Sequence, residues 1–98
     1  MRSTARVLLL TPAAALTVAA APPVVPGNRA AFCRGEVSAM YGVRPIYVKT
    51  GKLLKDRRGA TSVSGTVDKG SEGVKKFKCR FDTRGRFIDV MAMTPDGY

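Results

Sequence analysis

Histidine is absent from this 98-residue chain, which excludes His-dependent acyl-transfer triads and removes the commonest zinc ligand. Acidic residues are scarce as well. The seven carboxylates, Glu36, Asp56, Asp68, Glu72, Asp82, Asp89 and Asp96, are scattered without metal-ligand spacing, so no metal site is expected. Asp68 and Asp82 stand among turn-forming residues, and Glu36 falls on the solvated side of a predicted helix. A small carboxylate-dependent hydrolase would need one of these acids in a cleft beside a partner. Gly70 and Gly73 lack the Gly-Lys-Ser or Gly-Lys-Thr ending of a phosphate loop, and no Cys-x-x-Cys supports thiol exchange. No cofactor is implied. The apolar run at residues 7–20 falls short of the roughly 20 residues that a spanning helix needs, and Pro12 interrupts it, so no transmembrane anchor is expected.

What is present begins with an export leader. Arg2 and Arg6 make a short basic region, residues 7–20 carry no charge, and Pro12 interrupts them. This pattern predicts a signal peptide over residues 1–20. Val18-Ala19-Ala20 offers a cut after Ala20, whereas a cut one residue later would leave Pro22 against the protease. The alternative is an N-terminal helix kept in the mature protein. Phe32, directly before Cys33, argues against a lipid-modified first cysteine. Residues 21–27, with Pro22, Pro23 and Pro26, predict a flexible proline-rich tether, and residues 28–98 a single basic, disulfide-stapled domain. Without the leader, 15 basic residues stand against seven acidic ones, a formal excess of +8. The expected location is the periplasm or the secreted fraction.

From Asn28, a plausible N-cap, Cys33, Val37, Met40 and Tyr41 recur at helical spacing, and Gly42 is placed to end the helix. Pro45 stops further helix, and Ile46-Tyr47-Val48 reads as a short strand. Lys49, Lys52, Lys55, Arg57 and Arg58 surround Leu53-Leu54 in what reads as a mobile basic loop. Residues 61–67, 74–81 and 86–94 predict three antiparallel strands. The clearest signal is residues 74–81, where Phe77, Cys79 and Phe81 alternate with Lys76, Lys78 and Arg80. The predicted class is α+β, with one N-terminal helix packed on an antiparallel sheet of three to four strands.

Asp82-Thr83-Arg84-Gly85 reads as a type I turn. A two-residue hairpin loop there sets Cys79 opposite Ile88, Phe77 opposite Val90 and Lys78 opposite Asp89. A bulge at Gly85 would instead bring Phe87 to Phe81 and a carboxylate to Cys79, so the first register is preferred. It leaves Phe87, Met91 and Met93 on the outer face. Two cysteines in an exported chain make Cys33–Cys79 the default disulfide, joining the apolar side of the helix to the middle of the sheet.

Lys76, Lys78 and Arg80 project from one side of a strand, with Arg86 able to join across the hairpin and Phe87 beside the row. Cations around an aromatic ring suit an anionic lipid or cell-wall component. Single-stranded nucleic acid uses the same chemistry, but an exported location disfavours it. The main expectation is a non-enzymatic envelope protein that binds an anionic component through Lys76, Lys78, Arg80 and Arg86. The alternative is a protein-interaction module using Phe87, Met91 and Met93, with an envelope protein as partner.

In Cys33-Arg34-Gly35-Glu36, Tyr41-Gly42-Val43-Arg44-Pro45, Lys69-Gly70-Ser71-Glu72-Gly73-Val74-Lys75-Lys76-Phe77 and Cys79-Arg80-Phe81-Asp82, the chain resembles a group of small exported proteobacterial proteins with one cysteine pair. That group carries no established activity, so the resemblance implies export and the cysteine pair but no catalytic residue.

Overall fold

The computed structural model describes residues 21–94. The expected signal peptide, residues 1–20, lies outside the described residues, as does Asp96. Helix α1 (Arg29–Tyr41) precedes four strands, β1 (Val48–Lys55), β2 (Thr61–Asp68), β3 (Val74–Phe81) and β4 (Phe87–Ala92). The strands form one antiparallel sheet in the order β1-β2-β3-β4. Sequential hairpins give this order directly, because each short turn delivers a strand beside the one before it.

Helix α1 follows its apolar spacing. Cys33 and Val37, four residues apart, are buried on the sheet, with Ala30 and Tyr41 packed on the same core. Asn28 occupies the N-cap without a side-chain cap hydrogen bond. Gly42 ends the helix at φ +67°, a left-handed conformation that a residue with a Cβ rarely adopts, and its N–H donates to the Ser38 carbonyl. Met40, expected in the apolar stripe, is exposed.

The core joins α1 to the inner face of the sheet through Val48, Val63, Val67, Phe77, Phe81 and the Cys33–Cys79 disulfide. Both cysteines have 0 % exposure, and their Cα atoms are 5.9 Å apart. The disulfide therefore fastens the helix to an interior strand, as its two local patterns require. Gly65 on β2 makes room for this packing. A Cβ there would overlap the Lys49 carbonyl oxygen and press on the Phe77 ring.

The two central strands pair without interruption from Thr61–Phe81 to Asp68–Val74. Each edge strand instead carries one extra residue. On β1, Thr50 faces Gly65 and Leu53 faces Val63, so Gly51 and Lys52 together oppose Ser64. On β4, Phe87 faces Phe81 while Asp89 faces Arg80, so Ile88 is the extra residue. These bulges solve the same geometric problem. Val48 and Leu53 lie five residues apart, and Phe87 and Val90 three apart, odd spacings that strict alternation would send to opposite faces. One inserted residue in each strand lets both members of each pair face the core.

Three expectations are corrected here. Residues 49–55 belong to β1 rather than to a mobile basic loop, and only residues 56–59 turn; the bulge hides the strand by breaking its period of two. Pro45–Tyr47 forms one 3-10 turn, so the strand starts at Val48 and not at Ile46. The β3–β4 register sets Cys79 opposite Val90, Phe77 opposite Ala92 and Lys78 opposite Met91. Of the two anticipated registers, the bulged alternative holds at the loop, where Phe87 faces Phe81, and neither holds beyond Ile88. The bulge at Ile88 gives the ring of Phe87 to the core, where Phe32 and Phe81 lie 5.3 and 5.7 Å away between centroids. Such ring pairs contribute about 0.5–1.5 kcal/mol each beyond simple burial, which favours an inward Phe87 over an inward Ile88.

The segment expected as a tether also differs. Pro23 bridges Arg86 in antiparallel fashion, and the Val24 N–H donates to the Gly85 carbonyl at 2.9 Å. Arg29 clamps it further, donating from Nε to the Val24 carbonyl at 2.7 Å and from Nη1 to Thr61 Oγ1 at 3.1 Å. Pro23 and Val24 are thus laid against the β3–β4 hairpin despite the proline content of the segment.

Candidate functional site

The outer face of the sheet, away from α1, carries no second layer among the described residues. Alternation along β3 places Lys76, Lys78 and Arg80 on it, as expected. Neighbouring strands add Lys49 and Thr66 beside Lys76, then Ser64 and Met91 beside Lys78, then Ser62 and Asp89 beside Arg80. Met93 continues the β4 pairing by donating its N–H to the Lys76 carbonyl at 2.8 Å. Met91 and Met93 are 38 % and 48 % exposed.

Five of the seven expected contact residues, Lys76, Lys78, Arg80, Met91 and Met93, thus share this face; Arg80 is already paired there, and Arg86 and Phe87 lie elsewhere. Arg80 forms a bidentate pair with Asp89, Nε to Oδ1 and Nη2 to Oδ2, both at 2.7 Å. The pair raises the guanidinium further above its ordinary value and holds the carboxyl below the usual range, through the shared hydrogen bonds first and charge second. Asp89 was expected opposite Lys78; the bulge brings it to Arg80 and offsets that residue's charge. Arg86 does not join the row. Its backbone is tied to Pro23, it is half-buried, and its Nε is enclosed without a hydrogen-bond partner. Phe87 lies on the opposite, helix-facing side, so it cannot serve the outer face.

The remaining positive charge on the face belongs to Lys49, Lys76 and Lys78, and none of them makes an ion pair among the described residues. Lys76 and Lys78 lie next to Met93 and Met91, so cationic and soft apolar groups alternate across a floor of Ser62, Ser64 and Thr66. A groove of about 470 Å³ runs over part of this floor, lined by Lys49, Ser64, Thr66, Lys76 and Met93 among others.

The two borders of the sheet differ in chemistry. β1 carries Lys49, Lys52 and Lys55 together with its bulge, the features that discourage another chain from pairing there. β4, with sequence FIDVMA, has neither lysine nor proline. Because the Met93 N–H points to β3, the alternation of the ladder aims the N–H and C=O of Val90 and Ala92 outward. Among the described residues, only Pro23 pairs on the outer side of this strand, at Arg86 just before β4 begins.

The described aspartates are accounted for structurally. Asp56 Oδ1 accepts the N–H groups of Arg58 and Ala60, Asp68 Oδ1 accepts that of Gly70, and Asp82 Oδ1 accepts those of Arg84 and Arg86. No group of three or more His, Cys, Asp or Glu able to hold a metal occurs among the described residues. No described helix is long and apolar enough to cross a membrane.

Asp82 is held below the ordinary carboxylate value, chiefly by the Arg86 N–H and then by the Arg84 N–H and nearby charges, against a smaller opposing effect of burial. A depressed carboxyl contributes stability that is full above its unfolded value and lost as pH falls through the folded one. Asp82 and Asp89 should therefore leave the melting temperature flat near neutrality and lower it below about pH 4. In Asp82→Asn this acid limb should become shallower in thermal melts; an unchanged limb would mean that Asp82 is not linked to folding.

The sequence reading missed one local motif. Asp56-Arg57-Arg58-Gly59-Ala60 repeats the loop at Asp82-Thr83-Arg84-Gly85-Arg86. In each, the N–H of the first residue donates to the carbonyl of the fifth, its own carbonyl accepts the glycine N–H, its Oδ1 accepts two loop N–H groups, and the glycine has positive φ, +91° and +82°. The signal was available in the shared Asp-x-Arg-Gly. Comparison with protein-family models, with curated proteins and with solved structures returns no match to this chain.

Proposed function

We propose that this chain is an exported, non-enzymatic interaction module, and that the outer sheet face with its β4 border takes a segment of a partner protein. The observation that carries the reading is the exposed pair Met91 and Met93, set beside unpaired Lys76 and Lys78 on a sheet face with no covering layer among the described residues. Methionine adapts its shape to varied apolar partners, and flanking cations select an acidic one. The outward backbone groups of Val90 and Ala92 add a place for a strand to pair. The resemblance to small exported proteobacterial proteins supports the periplasm or the secreted fraction as the setting, and an envelope protein as the partner.

A photo-cross-linking residue at Ser64, in the middle of the face, tests this reading. The expected result is a covalent adduct with one partner protein that disappears in Met91→Asp and in the double variant K76E/K78E. Adducts with lipid alone, or protein adducts indifferent to both variants, would overturn it.

A further inference from the structure

We propose that the end of the sheet formed by the two Asp-x-Arg-Gly hairpins binds a phosphate group, separately from the outer face. The β1–β2 and β3–β4 loops come from distant parts of the sequence yet touch: a Cβ on Gly59 would lie 3.9 Å from Thr83 Cγ2. Between them and the start of α1 is a cleft of about 340 Å³, lined by Pro26, Arg29, Leu53, Lys55, Gly59, Thr61 and Thr83. Its lining holds two cations and two hydroxyls and no carboxylate. That donor set suits a phosphate group, with the guanidinium offering directed N–H groups and the ammonium a mobile point charge.

Arg29 is already oriented. Its Nε and Nη1 are fixed on Val24 and Thr61, and its guanidinium lies 5.8 Å from the centre of the Phe81 ring. A group held this way loses little freedom when a ligand arrives. Lys55, by contrast, is exposed and can swing to the same point.

The rim strengthens the field. Arg57, Arg58 and Arg84 are exposed on the two loops, while the acids there, Asp56 and Asp82, are turned to their own loop amides through Oδ1. Each loop thus uses its carboxylate to hold its shape and leaves its arginines facing solvent. Clustered charge of one sign beside a concave wall concentrates counter-ions.

The phosphate could belong to a lipid headgroup or be free in solution, and the experiment separates these sources. The chain is titrated with inorganic phosphate, at ionic strength held constant with chloride, while backbone amide resonances are followed. Saturable shifts confined to Gly59, Thr61 and Thr83 are expected. Lys55→Gln combined with Arg84→Gln should weaken the apparent Kd at least tenfold, whereas Lys76→Gln with Lys78→Gln should leave it unchanged. Co-sedimentation with phosphatidylglycerol vesicles but not phosphatidylcholine vesicles, lost in the Lys55/Arg84 variant, would identify a lipid headgroup; saturable phosphate shifts without vesicle capture would identify a free phosphate. Shifts that grow linearly without saturation, or that spread equally to Lys76 and Lys78, would overturn the proposal. Its failure would leave the Ser64 cross-link untouched, and failure of the cross-link would leave the phosphate titration untouched.

Discussion

Replacing Cys33 and Cys79 together by alanine is expected to lower the unfolding free energy by about 4 kcal/mol, the loop-closure value for a bridge spanning 46 residues. The effect is large against the total available to so short a chain. Small domains bury a low fraction of their surface and hold only about 5 kcal/mol or a little more in reserve. The bridge also sits where a loss is felt, since both sulfurs are fully buried between Val37 on the helix and Val63 and Phe77 on the sheet. Two alanines leave most of that volume unfilled. Urea unfolding of the oxidised chain, the reduced chain and the double variant gives the measurement. Similar midpoints for all three would show that the noncovalent core alone carries the fold.

Phe81→Ala is the other severe substitution, with an expected loss of about 3–5 kcal/mol, as for other buried phenylalanines. Its ring is fully buried and meets Phe32 at 6.2 Å, Phe87 at 5.7 Å and the Arg29 guanidinium at 5.8 Å. Removing it withdraws support from three elements at once: the helix, the bulged strand β4 and the clamped segment before the helix. Phe32 supplies a control. It is 38 % exposed, so Phe32→Ala should cost clearly less. Thermal melts of both variants in the oxidised state decide the point, and equal losses would place the anchor of the cluster on the helix rather than on β3.

The sequence was most informative where pattern and packing coincide. Strands β2 and β3 are paired on both sides, have no bulge in their mutual register, and show their faces plainly in Val63 and Val67 and in Phe77, Cys79 and Phe81. The helix was legible for the same reason, through Cys33, Val37 and the stop at Gly42. Both edge strands resisted reading because each contains an extra residue that breaks the alternation. Gly51-Lys52 made β1 look like a loop, and the extra residues at the Gly85 loop and at Ile88 together shifted the expected partners of β4 by two. A bulge is chosen by long-range competition among side chains for the core, and nothing local announces it.

The candidate site inherits that division. Lys76 and Lys78 were placed correctly because β3 is regular, and Met91 and Met93 kept their outer position because the register moved by two residues in all, which preserves the faces. Arg80 and Phe87 were misjudged because their surroundings depend on the bulge itself. Arg86 was misjudged because Pro23 docks on it, a pairing that a proline-rich composition conceals.

The unlike borders of the sheet also limit how copies of the chain can assemble. Growth of a fibre by edge addition needs two receptive sides on every unit, one to join and one to be joined. Here Lys49, Lys52 and Lys55 with the bulge make one side unreceptive to any incoming strand, so stacking through the opposite side would close after two molecules and leave lysine outermost at both ends.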